Sequence, residues 1–431
     1  MKRYDVYKDS GVQWIGQMPS HWDVGRLKFT GRFENGLTYS PNDISDDSGI
    51  LVLRSSNIQA YKLNFNDCVY VSNTPKELVV KNGDIIICSR NGSPNLIGKC
   101  IYIDCNITAT YGAFMMRYRP IIHNKYAFYL FQTAVSYYKG LFITTTINQL
   151  TKGIINQMTV PIVPLPEQQA MASYLDKRCG EIDRAIAKQQ KRIELLQELR
   201  QSIIINAVTR GINPDAPLKD SGVEWIGQVP EHWEVMKTSL IYNNIGSGTT
   251  PSSSNPSFYT EDSDGFFWLQ TGDLNDGMIS NTSKKVTKLA VNECKLKFYP
   301  VNSVVIAMYG ATIGKVGLLK IETATNQACC VLPKSKKMNE LFSFYLYQAA
   351  KQPMILEAMG GGQPNISQDI IKKLKIPVPP IFEQHQIVDH IEKQTARLDK
   401  SIAKAEHRIE LLQELKQSII TEVVTGKRKV C

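Results

Sequence analysis

The chain has 431 residues, a formal charge of +10 and 43% hydrophobic residues. That length buries a sizeable core and holds two or more domains, and the positive balance suits a polyanion such as nucleic acid. No signal-like start, no apolar run of about 18 residues and no CxxC pair among nine cysteines argue against secretion, a membrane span, a zinc site or a disulfide framework, and for a reducing cytoplasm.

The first element is an aromatic lead-in, KDSGVQWIGQMPSHWDV, from Lys8 to Val24. It returns as KDSGVEWIGQVPEHWEV from Lys219 to Val235, with 13 of 17 positions identical. After the first copy comes a mixed insert, residues 24–160. Ile85-Ile86-Ile87 predicts a buried strand and Phe128 to Tyr138 a helix. A long helix follows, entered through Pro161, Pro164 and Pro166, which set an extended approach and then a helix start. Residues seven apart are Leu175, Ile182, Gln189, Leu196 and Ile203, interleaved with Cys179, Ile186, Ile193, Arg200 and Ala207. This is a coiled-coil stripe over about five heptads. About 35 residues of helix would be about 50 Å long.

The order then repeats. Thr209 to Val223 links to the second lead-in, and the second insert covers residues 236–376. Val304-Val305-Ile306 predicts a strand and Leu341 to Ala350 a helix. A second long helix follows Pro377, Pro379 and Pro380. Its stripe is Ile391, Leu398, Ala405, Leu412 and Ile419, with Thr395, Ile402, Ile409, Lys416 and Val423. RIELLQELRQSII (Arg192 to Ile204) returns as RIELLQELKQSII (Arg408 to Ile420), differing only at Arg200/Lys416. The inserts keep weaker matches: LRSSNI (Leu53 to Ile58) with LQTGDL (Leu269 to Leu274), and Ile97-Gly98-Lys99 with Ile313-Gly314-Lys315.

The chain therefore divides into a lead-in (1–23), a first reader domain (24–160), a helix, linker and second lead-in (161–235), a second reader domain (236–376) and a second helix (377–431). The expected fold class is α/β (α+β). Two mixed domains are joined by two long antiparallel coiled-coil helices in a circular, pseudo-two-fold arrangement. The helices would pair through Ile182, Ile186, Ile193, Leu196 and Ile203 of one and Leu398, Ile402, Ile409, Leu412 and Ile419 of the other.

Catalytic signatures are near misses. Gly310 to Val316 has three residues between its glycines where a phosphate loop has four, and Val316 where a hydroxyl is needed; it reads as a turn between strands. Asn255-Pro256-Ser257-Phe258 lacks the middle proline of an amino-methyltransferase motif and reads as a loop. His385 and His390 are five apart, off a common helix face, so no metal pair is expected.

Trp14-Ile15-Gly16, Pro19 and His21-Trp22, repeated at Trp225-Ile226-Gly227, Pro230 and His232-Trp233, resemble the specificity subunits of type I restriction-modification enzymes. So do the helix entries Pro161…Pro164…Glu167-Gln168 and Pro377…Pro380…Glu383-Gln384. The resemblance spans the whole chain in the family's order. It implies a non-catalytic reader of double-stranded DNA whose two domains each recognise half of a split, asymmetric site. It implies that the paired helices set the spacer and dock two adenine-N6 methyltransferase subunits, with motor-nuclease subunits completing the restriction complex. S-adenosylmethionine, ATP and Mg²⁺ would belong to those partners and not to this chain. The two inserts differ in one further place: TTTINQL (Thr144 to Leu150) stands where the second has GGGQPNI (Gly360 to Ile366).

Base readers should be polar side chains on loops and strand ends. The candidates are Arg54, Ser56, Asn57, Arg90, Asn91 and Ser93 in the first domain, and Gln270, Thr271, Asp273, Tyr309 and Thr312 in the second. Lys99 and Lys315 are candidate phosphate contacts. The lead-in tryptophans read as packing groups. Two other readings stay open: a stand-alone architectural DNA-binding protein with a coiled-coil stalk, and a fused modification enzyme, which would need a cofactor motif.

Overall fold

The strands Ile85–Cys88 and Val304–Ala307 are buried along their whole length. A strand's side chains alternate between faces, so each must be covered on both sides. In a computed structural model of the chain, describing residues 3–59, 62–141, 148–358 and 365–430, both are. Ile85 and Ile87 join the core that also holds the helix Asn124–Tyr138, while Ile86 and Cys88 join a second core beneath another sheet. Val304 and Ile306 pack with the helix Glu340–Ala349, and Val305 and Ala307 with the opposite cluster.

The chain forms two compact units, one of residues 1–189 with 407–431 and the other of residues 190–406. In the first, one four-stranded sheet runs in the order Cys100–Tyr102, Ile85–Cys88, Met115–Pro120, Gly31–Asn35. A second sheet sets Ile50–Leu53 parallel to Ala109–Tyr111. The second unit repeats the plan. Val304–Ala307 lies between Cys329–Leu332 and Val316–Leu319, and Phe266–Leu269 pairs in parallel with Thr323–Thr325. The matching insert ends close on themselves. Asp23–Arg26 pairs antiparallel with Thr159–Ile162, and Glu234–Lys237 with Lys375–Val378.

The long helices are Leu165–Arg210 and Ile381–Val424, of 46 and 44 residues. They exceed the expected length of about 35 residues because they begin earlier than the first heptad positions suggest. Pro166 lies inside the first turn, where its missing N–H costs nothing. Within each unit the two helices run antiparallel. In the first unit, Lys416 Nζ donates to Asp183 at 2.7 and 2.9 Å, and the Arg428 guanidinium, just past the helix, donates to the Tyr174 hydroxyl at 3.0 Å. In the second, Arg200 meets Asp399 at 3.4 Å. Arg200 and Lys416 are the two residues that differ between the repeated segments, and each has found an aspartate across the seam. Ile182 and Ile419 are buried, while Ile186, Ile193, Leu196, Ile203, Leu398, Ile402, Ile409 and Leu412 are half-buried.

Both long helices end on a glycine in the left-handed region, Gly211 and Gly426, each at φ +74°. The conformation favours glycine, and the space demands it at Gly426, where a Cβ would lie 2.3 Å from Pro19. Gly211 faces Trp233 and Pro230 less tightly, at 3.2 and 3.8 Å. The Tyr7 hydroxyl donates to the Gly426 carbonyl at 3.1 Å, so the first unit is assembled from both ends of the chain.

The other local expectations fall where structure can be compared. Gly310 to Val316 is the turn between two antiparallel strands. Asn255 caps a short 3-10 turn. Most of Thr144 to Leu150 and of Gly360 to Ile366 lies outside the described residues, but Leu150 and Ile366 donate their backbone N–H groups to Ser89 and Met308, which hold matching places. No described helix is long and apolar enough to cross a membrane.

Candidate nucleic-acid interface

The lead-ins hold the readers in place. Trp22 and Trp233 are buried, and a buried indole N–H needs an acceptor. Trp22 Nε1 donates to Glu167 Oε2 at 3.1 Å, the Tyr4 hydroxyl donates to the same oxygen at 2.8 Å, and His21 Nε2 lies 2.6 Å from Oε1. Burial pushes the Glu167 carboxyl up, but the hydrogen bonds from His21, Tyr4 and Trp22 outweigh it and hold it below the usual value. In the second unit Trp233 Nε1 donates to Glu383 at 2.9 Å and His232 Nε2 lies 2.7 Å from its other oxygen. The next residue completes the clamp. Gln168 accepts from the backbone N–H of His123, and Gln384 from that of Asn339, the capping residues of the two reader helices. One Glu-Gln pair per unit thus ties a lead-in and a reader to the start of a long helix.

The candidate readers lie on loops at the ends of the core strands. In the first unit Asn91 Nδ2 donates to Ser55 Oγ at 3.1 Å, which joins the loop after Ile85–Cys88 to the turn after Ile50–Leu53. Arg54 and Ser56 line a cleft of about 650 Å³ with Thr38, Tyr39, Phe114 and Met115. Arg90 is exposed, with its guanidinium 5.5 Å from the centre of the Phe114 ring. Ser93 is exposed, and Lys99 is half-buried beside Gly98 at the start of the next strand. In the second unit Gln270 and Thr271 are half-buried on the equivalent turn. Thr312 and Lys315 are half-buried and Tyr309 is exposed on the equivalent hairpin loop. Among the described residues neither Lys99 nor Lys315 has an ion-pair partner, which leaves both ammonium groups available to a phosphate.

The family model described as the type I restriction modification DNA specificity domain matches residues 19–197 and again residues 230–411. The chain belongs to that family. Its two matched halves are the two target recognition domains with their helices. Across 435 residues it is 26% identical to a Methanocaldococcus jannaschii protein named for the specificity subunit of the type I restriction enzyme MjaX, covering 96% of each chain. It is 22% identical to the type I restriction enzyme EcoKI specificity subunit of Escherichia coli K12, covering 96% of this chain and 90% of the relative. A solved chain from a study of complex assembly and conformational transition of the type I restriction-modification system shares the fold, with a TM-score of 0.68 at 14% identity. That match covers 94% of this chain and 98% of the solved one.

Two of the expected base readers of this specificity chain are placed otherwise. Asn57 is fully buried. Its Oδ1 accepts from the Arg54 N–H at 2.9 Å and its amide donates to the Asn64 and Asp67 carbonyls. Asp273, its counterpart, accepts from the Gln270 N–H at 2.8 Å and the Ser283 N–H at 3.0 Å. Each is the third residue of a 3-10 turn, and its side chain is used to close that turn. Arg54 is also restrained, by Asp67 at 2.8 Å. Residues on the same edges that sequence reasoning did not single out are Tyr39 and Phe114 in the first unit, and Thr250 and Gln327 in the second, where Thr250 donates to Gln327. A search for polar readers passes over Phe114. Its signal was a large apolar residue on a Gly-Ala turn just before a strand.

Proposed function

We propose that the chain recognises a split, asymmetric DNA site, one half with each reader domain. The observation that carries this reading is the contrast within the repeat. Turn, hairpin glycine and clamp are the same in both units, while the loop residues on the edges differ: Ser56, Arg90 and Phe114 in one, Gly272, Tyr309 and Ala328 in the other. Equal scaffolds with unequal edges fit two different half-sites.

The long helices act as the ruler between the half-sites and as docking rails for two adenine-N6 methyltransferase subunits, which motor-nuclease subunits join in a restriction complex. Support for docking comes from a leucine pair repeated once per unit, Leu195 with Leu199 and Leu411 with Leu415, each about half exposed. Four residues apart on one helix face, each pair offers a matching apolar strip to a partner helix. S-adenosylmethionine, ATP and Mg²⁺ belong to those subunits, and the complex works in the cytoplasm. Membership of the family argues against a stand-alone architectural role.

The test is methylome sequencing of a host expressing this chain with its methyltransferase. The expected result is one bipartite motif. Exchanging residues 24–160 for the insert of a relative changes one half of it. Adding a heptad near Gln190 and another near Glu406 widens the spacer by about three base pairs, since seven helical residues rise about 10 Å. A motif without two separable halves, or a spacer indifferent to helix length, would refute the reading.

A further inference from the structure

The reader edges of the two units can be superposed through their hydrogen bonds. Ser89 N–H donates to the Phe114 carbonyl at 3.0 Å and accepts at its own carbonyl from Leu150; Met308 N–H donates to the Ala328 carbonyl at 2.8 Å and accepts from Ile366. Phe114 therefore corresponds to Ala328, and Arg90, the residue after Ser89, to Tyr309. Each edge carries one exposed aromatic at this spot, supplied from opposite sides of the same loop pair. In the first unit it is Phe114, 61% exposed, and in the second Tyr309, 37% exposed. Ala328 is buried, so the second unit has no aromatic on the other side.

The backbone of Phe114 is also anchored. Its carbonyl accepts from the Ser89 and Arg90 N–H groups and from the Ser89 hydroxyl, at 3.0, 3.1 and 3.0 Å. Arg90 covers part of the ring and brings a positive charge. A phenyl ring left in water on a reader loop gains free energy when a partner covers it, and the Arg90 charge beside it suits a polyanion such as a nucleic-acid duplex.

We propose that Phe114 and Tyr309 are base-stacking wedges, one per half-site, each entering the duplex at a deformable step beside the bases its own loops read. The inference rests on the DNA-reading function and deepens it. An aromatic ring against an unstacked base is worth about a tenfold gain in affinity or more. Pyrimidine–purine steps unstack most easily, so each half-site should contain one at a fixed position.

The experiment uses the full chain with its methyltransferase and duplexes of its own target, with 2-aminopurine scanned through each half-site. Wild type should raise fluorescence at one step per half-site. Phe114→Ala should abolish the rise in the first half-site only and weaken target binding about tenfold, with binding to random duplex unchanged. Phe114→Leu should keep part of the effect. Tyr309→Ala should do the same in the second half-site, with Tyr309→Phe rescuing. Wild-type specificity with variants that bind and fluoresce as wild type would sink the wedge alone. Loss of methyltransferase capture in Phe114→Ala would move the ring to a protein interface and equally overturn it. A wild-type complex without sequence preference would instead bring down the DNA-reading function.

Discussion

The two units solve one structural problem twice, and they agree where the chain is tied together and differ where it is exposed. Each places a buried tryptophan and a histidine on a glutamate, a glutamine on a reader helix cap, and a left-handed glycine against a proline and that tryptophan. None of this touches an exposed edge. The repeated motifs that mark the family are thus joinery, and the exposed loop residues proposed to read DNA are ones the repeat does not preserve. The largest expected effect tests the joinery. Trp22→Ala and Trp233→Ala each remove a fully packed indole and should cost about 3–5 kcal/mol. Calorimetry of the two variants should show similar losses. A large loss in one and none in the other would break the equivalence of the clamps.

The units also differ inside. Arg117 is buried, bound to Glu34 and to the carbonyls of Glu77 and Val79, and burial beside Arg119 lowers its pKa to about 10. Strand register puts Val331 at the equivalent position of the second unit. The same sheet therefore takes a charged network in one copy and a valine in the other. Arg117→Ala should destabilise the first unit by about 3 kcal/mol, at the low end for a broken buried pair because Glu34 keeps some contact with water. Arg117→Met with Glu34→Gln, which removes both charges, should recover most of that loss in urea unfolding. If the single and double variants are equally unstable, the arginine's role is shape and not charge.

Much of this was legible in the sequence for physical reasons that can be named. The strands announced themselves because Ile85 to Ile87 and Val304 to Ile306 are apolar on both faces, and the long helices because their stripe repeats every seven residues. The matches at Leu53/Leu269 and Gly98/Gly314 proved to be the same turn and the same hairpin. Less legible was the use of individual polar side chains. Asn57 and Asp273 look like readers in a linear sequence, yet three-residue turns consume them. Phe114 looks like core and is exposed. Charge against its neighbours three residues away, or burial against residues a hundred away, decides such cases, and local sequence carries neither.

The Glu167 clamp offers a test that depends on pH. The folded pKa of Glu167 lies below its ordinary value, so the stabilisation it gives is complete above the unfolded pKa of about 4.3 and is lost as pH falls through the folded value. Glu167→Gln should cost about 1–3 kcal/mol at neutral pH, because charge-assisted bonds to His21, Tyr4 and Trp22 are weakened. It should also flatten the decline of thermal stability between about pH 5 and pH 3. A variant whose acid limb overlays that of wild type would show that the clamp works as packing alone.

The smallest effect concerns the seam. Lys416 with Asp183 and Arg200 with Asp399 are reciprocal pairs, since the second helix carries each residue 216 positions after its counterpart in the first. Both pairs are partly exposed, so each should contribute only about 0.2–1 kcal/mol and fade in high salt. Their value is direction. A lysine or arginine in a mainly apolar stripe that meets an aspartate across the antiparallel seam penalises other registers. Asp183→Lys should therefore leave stability within about 1 kcal/mol of wild type at high salt while lowering the yield of correctly paired chain at low salt. Asp183→Lys with Lys416→Asp should restore it. Measurement is by the coupling energy of a double-mutant cycle at two salt concentrations. Zero coupling at low salt would make the aspartates bystanders and leave the register to the isoleucine and leucine stripe alone.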